Sequence, residues 1–232
     1  MDRPEPPGAR IAARIAKVTR LDIRSDVVCP WCYLGATNLM NALATREEPH
    51  PFGIRWHPFQ LDPTIPPEGM DRTDYMTRKF GDLSRIEASH QRLVEMGREV
   101  GIDFRFERIA RSPNTLDAHR VIRWAEPEGL QTRTAMALFR RYFELGEDIS
   151  DPAVLRAAAE EAGLDGAAIA ALLAGDADRA EVQAEVAAAQ DMGVTGVPTF
   201  VIAGQYVLSG AQPVEVWSDV IRQLEAATPA AT

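Results

Sequence analysis

Cysteine and lysine are both scarce in this chain of 232 residues. Two cysteines are present, so any internal disulfide must join that one pair. The only lysines are Lys17 and Lys79, and the formal net charge is -9 at pH 7. No segment is rich enough in arginine to reverse this charge locally. Because binding to a phosphate backbone depends on clustered positive charge, we expect no nucleic-acid partner.

Long apolar runs are missing from the start of the chain. Residues 1–17 contain several prolines and scattered arginines, and no run there is long enough for a signal-peptide core or a membrane span. We therefore expect a cytoplasmic protein with no membrane partner. Residues 1–17 and 227–232 are expected to be flexible ends on either side of a globular body with a sizeable core.

The two cysteines form the motif Cys29-Pro30-Trp31-Cys32, between a strand pattern and a helical pattern. In a reducing compartment such a pair is more often catalytic or metal-binding than a structural disulfide. Proline suits the first position of a helix, which places Cys29 at a helix N-terminus, where the helix dipole stabilises a thiolate. We therefore predict that Cys29 is the exposed nucleophile and that Cys32, one turn further in, is the resolving thiol.

Three neighbours of the cysteines are predicted to tune the site. Pro30 and Trp31 occupy the positions that influence the stability of the thiolate. Trp31 either offers a flat apolar platform to a substrate or packs against the rest of the protein. Asp26, three residues before the nucleophile, either relays a proton and affects ionisation or caps a helix.

The apolar pattern predicts a strand over 18–26, a helix from Pro30 to about Thr45 and a second strand over 52–60. From 71 to 193 the pattern is almost wholly helical, which is too long for a loop within a small sheet domain. Strands follow over 198–203 and 206–209, with a two-residue turn at Gly204-Gln205, and a last helix begins after Gly210. The predicted order is β-α-β, a helical insertion, then β-β-α.

Five segments together resemble the FrnE-like branch of the DsbA oxidoreductases. The resemblance extends from about Val18 to about Leu224. The segments are Ser25-Asp26-Val27-Val28-Cys29-Pro30-Trp31-Cys32-Tyr33-Leu34-Gly35, Pro67-Glu68-Gly69-Met70-Asp71, Ser112-Pro113-Asn114-Thr115-Leu116-Asp117-Ala118-His119-Arg120, Thr195-Gly196-Val197-Pro198-Thr199-Phe200 and Ser209-Gly210-Ala211-Gln212-Pro213.

This resemblance implies an α/β protein with a thioredoxin-like fold and a large all-helical insertion. The thioredoxin-like domain would comprise 18–62 and 194–226, and the insertion 63–193. The site would lie in the groove between them.

The resemblance also implies a cis bond between Val197 and Pro198, which would let the backbone of Val197 pair with a bound peptide or with glutathione. Asn114 and Thr115 are expected to face the groove as substrate contacts. The alternative is that both are simply residues at the start of a helix.

The resulting functional prediction is a thiol-disulfide oxidoreductase that oxidises, reduces or isomerises disulfides of proteins or small molecules. No tightly bound cofactor is expected, glutathione is a candidate redox partner, and the sequence carries no signal for an oligomeric state. The alternative comes from two sister groups, the 2-hydroxychromene-2-carboxylate isomerases and the kappa-class glutathione transferases. They activate glutathione with a serine-type site and attack a small electrophile. Here Cys29 stands at the serine position, and 210–212 lack the Ser-Asp pair that those relatives use for glutathione.

A metal centre is the remaining alternative for the cysteine pair. Two thiolates three positions apart could form half of a four-ligand set shared between two subunits, around a metal or an iron–sulfur centre. His50, His57 and His90 have no metal-ligand spacing with one another or with the cysteines. No metal site is therefore predicted.

Overall fold

The computed structural model of the protein describes residues 18–45, 51–81 and 84–226. The ends predicted to be flexible, 1–17 and 227–232, lie outside the described residues. No helix among the described ranges is long and apolar enough to cross a membrane.

The described residues form a four-stranded sheet in the order β2 (Phe52–Pro58), β1 (Thr19–Ser25), β5 (Thr199–Ile202) and β6 (Tyr206–Ser209). Strand β1 pairs in parallel with β2 and antiparallel with β5, and β5 pairs antiparallel with β6. Helix α1 (Pro30–Ala44) connects β1 to β2, and helix α9 (Val214–Ala226) closes the chain. The element order agrees with the prediction.

Seven helices lie between β2 and β5 in the described part of the chain. They are α2 (Arg72–Phe80), α3 (Ser84–Val100), α4 (Leu116–Trp124), α5 (Gln131–Arg140), α6 (Pro152–Ala162), α7 (Gly166–Leu173) and α8 (Arg179–Asp191). A single π-helical turn, Arg141–Leu145, continues α5, and one 3₁₀ turn, Phe106–Arg108, lies between α3 and α4.

The sequence predicted an all-helical insertion, but the insertion also contains two short strands. Strands β3 (Met70–Asp71) and β4 (Arg111–Ser112) pair antiparallel within it. Each strand has two residues, too few for any alternation of apolar and polar side chains to be read from sequence. The pairing joins the loop before α2 to the segment before α4.

The turn between β5 and β6 also differs from the predicted one. The ladder ends at the pair Ile202 and Tyr206, so the loop has three residues rather than two. Ala203 and Gly204 both take positive φ, and the N–H of Gln205 donates to the carbonyl of Ile202. Positive φ at both central residues is the geometry of a type I′ turn, which fits the twist of the flanking strands.

An aromatic cluster joins α1 to the inserted helices. The ring of Tyr33 stacks on Phe139 and Phe143, with centroid distances of 5.2 and 6.1 Å. The hydroxyl of Tyr33 donates to a carboxylate oxygen of Glu144 at 2.6 Å. Stacked rings of this kind add to the free energy gained from burying their area. The cluster fixes the insertion against the helix that carries the cysteine pair.

Gly35 lets α1 approach the segment around Pro198. A Cβ atom at this position would lie 3.2 Å from both the Cα of Ala211 and the Cγ of Pro198. We expect Gly35→Val to lower the free energy of unfolding by about 1–3 kcal/mol, because the added methyl groups overpack this contact. Urea denaturation of the two proteins measures the difference.

The matched control for this change is Gly175→Val, since a Cβ there meets nothing within 4 Å. We expect that variant to stay within about 0.5 kcal/mol of the unmodified protein. Equal losses in the two variants would show that close approach at Gly35 is not the cause.

Candidate functional site

The cysteine pair lies at the start of α1, where the sequence placed it. Cys29 is the N-cap residue and Pro30 the first residue of the helix. Both thiols are free, and the N–H of Cys32 donates to the carbonyl of Cys29 at 3.0 Å. Cys32 is therefore one turn into the helix, as expected.

Cys29 is not the exposed residue that the sequence predicted, because only 4 % of it is exposed. The loop before β5 covers it, and its Sγ donates to the carbonyl oxygen of Val197 at 3.6 Å. The peptide bond between Val197 and Pro198 is cis. Cys29 nevertheless lines an open cleft, so a ligand in that cleft would meet its sulfur.

Cys32 lies behind Cys29 and is 1 % exposed. Burial raises the pKa of the Cys32 thiol well above its ordinary value, and the neighbouring Cys29 raises it further. The Ser25 hydroxyl and the backbone of Asp26 lie beside this sulfur and act in the opposite direction, but burial dominates. The Cys32 thiol is therefore protonated at neutral pH and must lose a proton before it can react.

Asp26 does not cap a helix. Its carboxylate is 1 % exposed and accepts the N–H of Leu61 through Oδ2 at 2.7 Å. The other oxygen, Oδ1, has no hydrogen bond among the described groups and lies 3.5 Å from Nε2 of His119. That nitrogen donates to the carbonyl of Phe59 at 2.9 Å. A buried carboxylate oxygen with a free lone pair thus lies in the same wall as the cysteine pair.

The cleft is a cavity of about 480 Å³ between the start of α1 and the inserted helices. A volume of this size suits a small molecule or a short segment of a larger one. Its lining includes Cys29, Pro30, Trp31 and Asp26 from the sheet side. Helices α2 and α3 and the π-helical turn supply the opposite wall.

Of the remaining predicted site residues, three line the cleft and two, Pro198 and Asn114, do not. Thr115 and Val197 line the cleft, and Thr115 is also the N-cap residue of α4. Trp31 lines the cleft and also packs against the core. Pro198 lies behind the cleft, against Gly35.

Asn114 does not join the cleft, contrary to expectation. Its amide nitrogen donates to the carbonyl of Ile65 at 2.6 Å, and its oxygen accepts from Gln60 and from the N–H of Leu116. These bonds hold Asn114 to the loop after β2. The side chain therefore positions that loop.

Several residues of the cleft carry no motif that sequence reasoning could detect. They come from four elements that meet only in the folded chain: Arg72 and Tyr75 from α2, His90 from α3, Phe106 from the 3₁₀ turn and Tyr142 from the π-helical turn. Arg72 follows directly after the segment 67–71, which was the one local signal for this wall. The ring of His119 lies 3.5 Å from Asp26, a contact that no local motif indicates.

Metal-ligand geometry is not found in the part of the chain that the structure describes. No group of three or more His, Cys, Asp or Glu side chains there has an arrangement that could hold a metal ion. His90 stacks on Phe106 with a centroid distance of 3.9 Å, and His57 contacts Asp22 at 2.7 Å. His50 lies outside the described residues.

Comparison with known proteins assigns the fold and the family. A family model described as a DSBA-like thioredoxin domain matches residues 20–222 of the chain. The chain belongs to this family. The DsbA-like thioredoxin fold, with its four-stranded sheet and inserted helices, is thereby confirmed.

Three solved structures are similar over most of their length. A probable DsbA oxidoreductase from Streptomyces coelicolor is 29% identical, with a TM-score of 0.79 and coverage of 92% of this chain and 93% of that one. A 2-hydroxychromene-2-carboxylate isomerase is 20% identical, with a TM-score of 0.64 and coverage of 91% and 100%. The cytosolic disulfide reductase DsbM from Pseudomonas aeruginosa, solved with glutathione, is 23% identical, with a TM-score of 0.62 and coverage of 89% and 99%.

Membership of the DsbA-like family supports thiol-disulfide oxidoreductase or isomerase chemistry in general. The isomerase and the disulfide reductase share the fold with this chain, and at their level of identity they assign no activity to it. The activity must therefore be inferred from the residues of the cleft rather than from the fold.

Proposed function

We propose that this protein is a thiol-disulfide oxidoreductase in which Cys29 is the nucleophile and Cys32 the resolving thiol. The observation that carries the proposal is the arrangement of two free thiols, one facing the cleft at a helix N-terminus and the other buried one turn behind it. The five segments that resemble FrnE-like proteins support placement in that branch. A cytoplasmic location is consistent with a redox pair that is not a structural disulfide.

The proposed reaction has two exchange steps. The Cys29 thiolate attacks one sulfur of a disulfide, the S–S bond breaks, and a mixed disulfide forms while the first thiolate leaves. Cys32 then loses its proton and attacks the Cys29 sulfur, which releases the second thiolate. Two electrons pass from the protein to the disulfide, and the protein is left with a bond between Cys29 and Cys32. The reverse sequence oxidises a dithiol.

The loop before β5 supports the nucleophile from the opposite side. The carbonyl of Val197 accepts from the Cys29 thiol while that thiol is protonated. Once the sulfur is in a mixed disulfide, this carbonyl is free to accept an N–H from the bound partner. The backbone of Val197 is therefore the proposed contact for a peptide or for glutathione.

Asp26 is the proposed acceptor for the proton of Cys32. The Cys32 pKa is raised by burial, so the second step needs a base within the protein or from solvent. Asp26 lies beside this thiol through its backbone, and its Oδ1 has no hydrogen bond among the described groups. Nε2 of His119 lies 3.5 Å from this oxygen.

Asp26→Asn should therefore slow the second step by about tenfold and leave the first step unchanged. The amide is nearly the same size and keeps an oxygen to accept the N–H of Leu61, but it does not take up a proton. Rapid quenching with acid, followed by mass spectrometry of the intact protein, resolves the mixed disulfide from the internal one.

Asp62→Asn is the matched control, because Asp62 lines the same cleft and pairs with Lys79 at 3.7 Å. That variant should keep both rates. A second step that is equally slow in the two variants would show that the effect comes from general electrostatics in the cleft. An unchanged second step in Asp26→Asn would show that Asp26 does not accept the Cys32 proton.

The proposed partners are thiols and disulfides of proteins or small molecules, with glutathione as a candidate reductant. Cys29 occupies the position at which the glutathione-dependent isomerases and transferases use a serine-type site. Residues 210–212 form hydrogen bonds with neighbouring residues of the protein. The side-chain amide of Gln212 donates to the backbone carbonyl of Ser209, and the backbone carbonyl of Gln212 accepts from the side chain of Asn38. No observation in the cleft favours that alternative.

Turnover of a fluorescently labelled glutathione disulfide, with glutathione as the reductant, tests the proposed function directly. The unmodified protein should release the label catalytically, and the rate should scale with protein concentration. A rate equal to that of glutathione alone would contradict the proposal.

A further inference from the structure

A half-buried arginine lies in the wall of the cleft without a carboxylate partner. Arg72, the first residue of α2, lines the cavity that Cys29 also lines. Its Nη1 donates to the hydroxyl of Tyr142 at 3.1 Å. Among the residues that the structure describes, no Asp or Glu oxygen lies within ion-pair distance of this guanidinium. Lys79, the other cation of the lining, is already paired with Asp62.

The groups around Arg72 do not neutralise it. Burial raises the pKa of Tyr142 to about 12, so its hydroxyl remains uncharged. Burial lowers the pKa of His90 to about 4, and the charge of Arg72 adds to the effect, so this ring is neutral as well. Tyr75 also stays protonated, because burial and Asp62 raise its pKa. A positive charge thus faces the cleft in a chain whose net charge is -9.

Neither carboxylate of the lining forms an ion pair with Arg72. Asp26 accepts the N–H of Leu61 and lies beside His119. Asp62 accepts from Thr64 and pairs with Lys79. Because a partly desolvated cation gains most from a charged acceptor, an anionic group of a ligand is the partner that Arg72 lacks.

The rest of the cleft is mainly apolar. Its walls include Val28, Trp31, Ile65, Met76, Leu93 and Phe106. Such walls suit the body of an aromatic or aliphatic molecule and give no hydrogen bonds to a strongly polar one. The cleft therefore combines a reactive sulfur, an apolar body site and one uncompensated cation.

We propose that the cleft takes small disulfides that have an apolar body and a carboxylate, with Arg72 pairing the carboxylate. This inference rests on the proposed function and names its substrate class. Cys29 attacks the disulfide, its S–S bond breaks, and one carboxylated thiolate leaves. Cys32 then releases the second thiolate, so that two electrons pass from the dithiol to the substrate and one protein disulfide forms.

Two aromatic disulfides, one with carboxylates and one without, test this assignment. Dithiobis(nitrobenzoate) carries a carboxylate on each ring, whereas dithiodipyridine is neutral, and both release a coloured thiol when they are attacked. The rate of colour release is measured for each probe in the reduced Cys32→Ser protein, where Cys29 is the only thiol. We expect Arg72→Gln to slow the carboxylated probe by about tenfold and to change the neutral probe by less than about twofold.

Two further variants separate the contact from charge and folding effects. Arg72→Lys should recover most of the rate with the carboxylated probe. Arg78→Gln removes the same charge from an exposed position on α2 outside the lining, and it should leave both rates within about twofold. Equal changes with both probes in Arg72→Gln, or no change with either, would overturn the Arg72 assignment.

Failure of the proposed function is distinguishable from failure of the Arg72 assignment. If the proposed function is wrong, the unmodified protein reacts with neither probe through Cys29. If Arg72→Gln loses its far-ultraviolet circular dichroism, the unmodified protein provides the test. Phenylpropionate should protect Cys29 from dithiodipyridine at concentrations about tenfold lower than phenylpropionamide requires. Equal protection by the two compounds, or protection by neither, would overturn the inference.

Discussion

Cys29→Ser should abolish disulfide exchange, whereas Cys32→Ser should leave a protein that attacks disulfides and stops at the mixed disulfide. The difference arises because only Cys29 lines the cleft, while Cys32 is buried behind it with a raised pKa. The first variant has lost the attacking sulfur, and the second has lost only the group that resolves the intermediate. Incubation with glutathione disulfide and mass spectrometry of the intact protein measures both outcomes.

Cys29→Ser should remain unmodified, and Cys32→Ser should gain one glutathione unit that a dithiol reductant removes. The double variant, which has no thiol, is the control for adducts at other side chains. Equal residual turnover in the two single variants, or an adduct on Cys32 in the Cys29→Ser protein, would contradict the assigned roles.

Arg120→Met should produce the largest loss of stability, about 3–5 kcal/mol, with a fall in Tm of roughly 10 °C. The Arg120 side chain is fully buried. Its Nε donates to the carbonyl of Ala177 at 2.7 Å, and its Nη2 donates to the carbonyls of Leu172 and Gly175 at 3.0 and 2.6 Å. Methionine fills much of the same volume but leaves these carbonyls without a donor.

The role of Arg120 is to hold the end of α7 and the following loop against α4. Its Nη1 also pairs with Asp117 at 2.9 Å, and Asp117 keeps Arg179 as a second partner when Arg120 is replaced. Arg98→Met is the control, since Arg98 is exposed on α3, and it should stay within about 0.5 kcal/mol in thermal or urea unfolding. A loss below about 1 kcal/mol in Arg120→Met would show that these hydrogen bonds are dispensable.

The larger elements were predictable because their signals are local. Apolar alternation marks β1, and the pattern after Pro30 marks α1 to within one residue of its end. The pairing of β3 with β4 was not predictable, since two-residue strands carry no periodicity and their partners are far apart in sequence. The three-residue turn after β5 depends on Ala203 taking positive φ, which a sequence containing Gly204 does not specify.

The dithiol half of the site was predictable for the same reason, because Cys29 and Cys32 belong to one helix start. The burial of Cys29 was not, since it depends on Val197 from a loop 168 positions later in the chain. The opposite wall is harder still to predict. Arg72, His90 and Tyr142 lie on three elements of the insertion, and only their packing brings them to one cavity.

Asn114 was predicted to contact a ligand in the groove, but it is not part of the cleft lining. Its position within a family-like segment suggested a ligand contact, but the backbone carbonyl of Ile65 and the side chain of Gln60 engage its amide. Asparagine beside a helix start commonly binds nearby backbone in this way. Only the folded loop distinguishes that structural role from a functional one.

Mass spectrometry of the intact protein, equilibrated across a series of glutathione redox buffers, tests the central claim most directly. A dithiol oxidoreductase should pass from two thiols to one internal disulfide between Cys29 and Cys32, with a loss of two hydrogen masses and a midpoint that gives its redox potential. Little glutathione adduct should accumulate, because Cys32 resolves it. A stable glutathione adduct on Cys29, with Cys32 reduced throughout, would contradict the account and favour glutathione-dependent chemistry on small electrophiles.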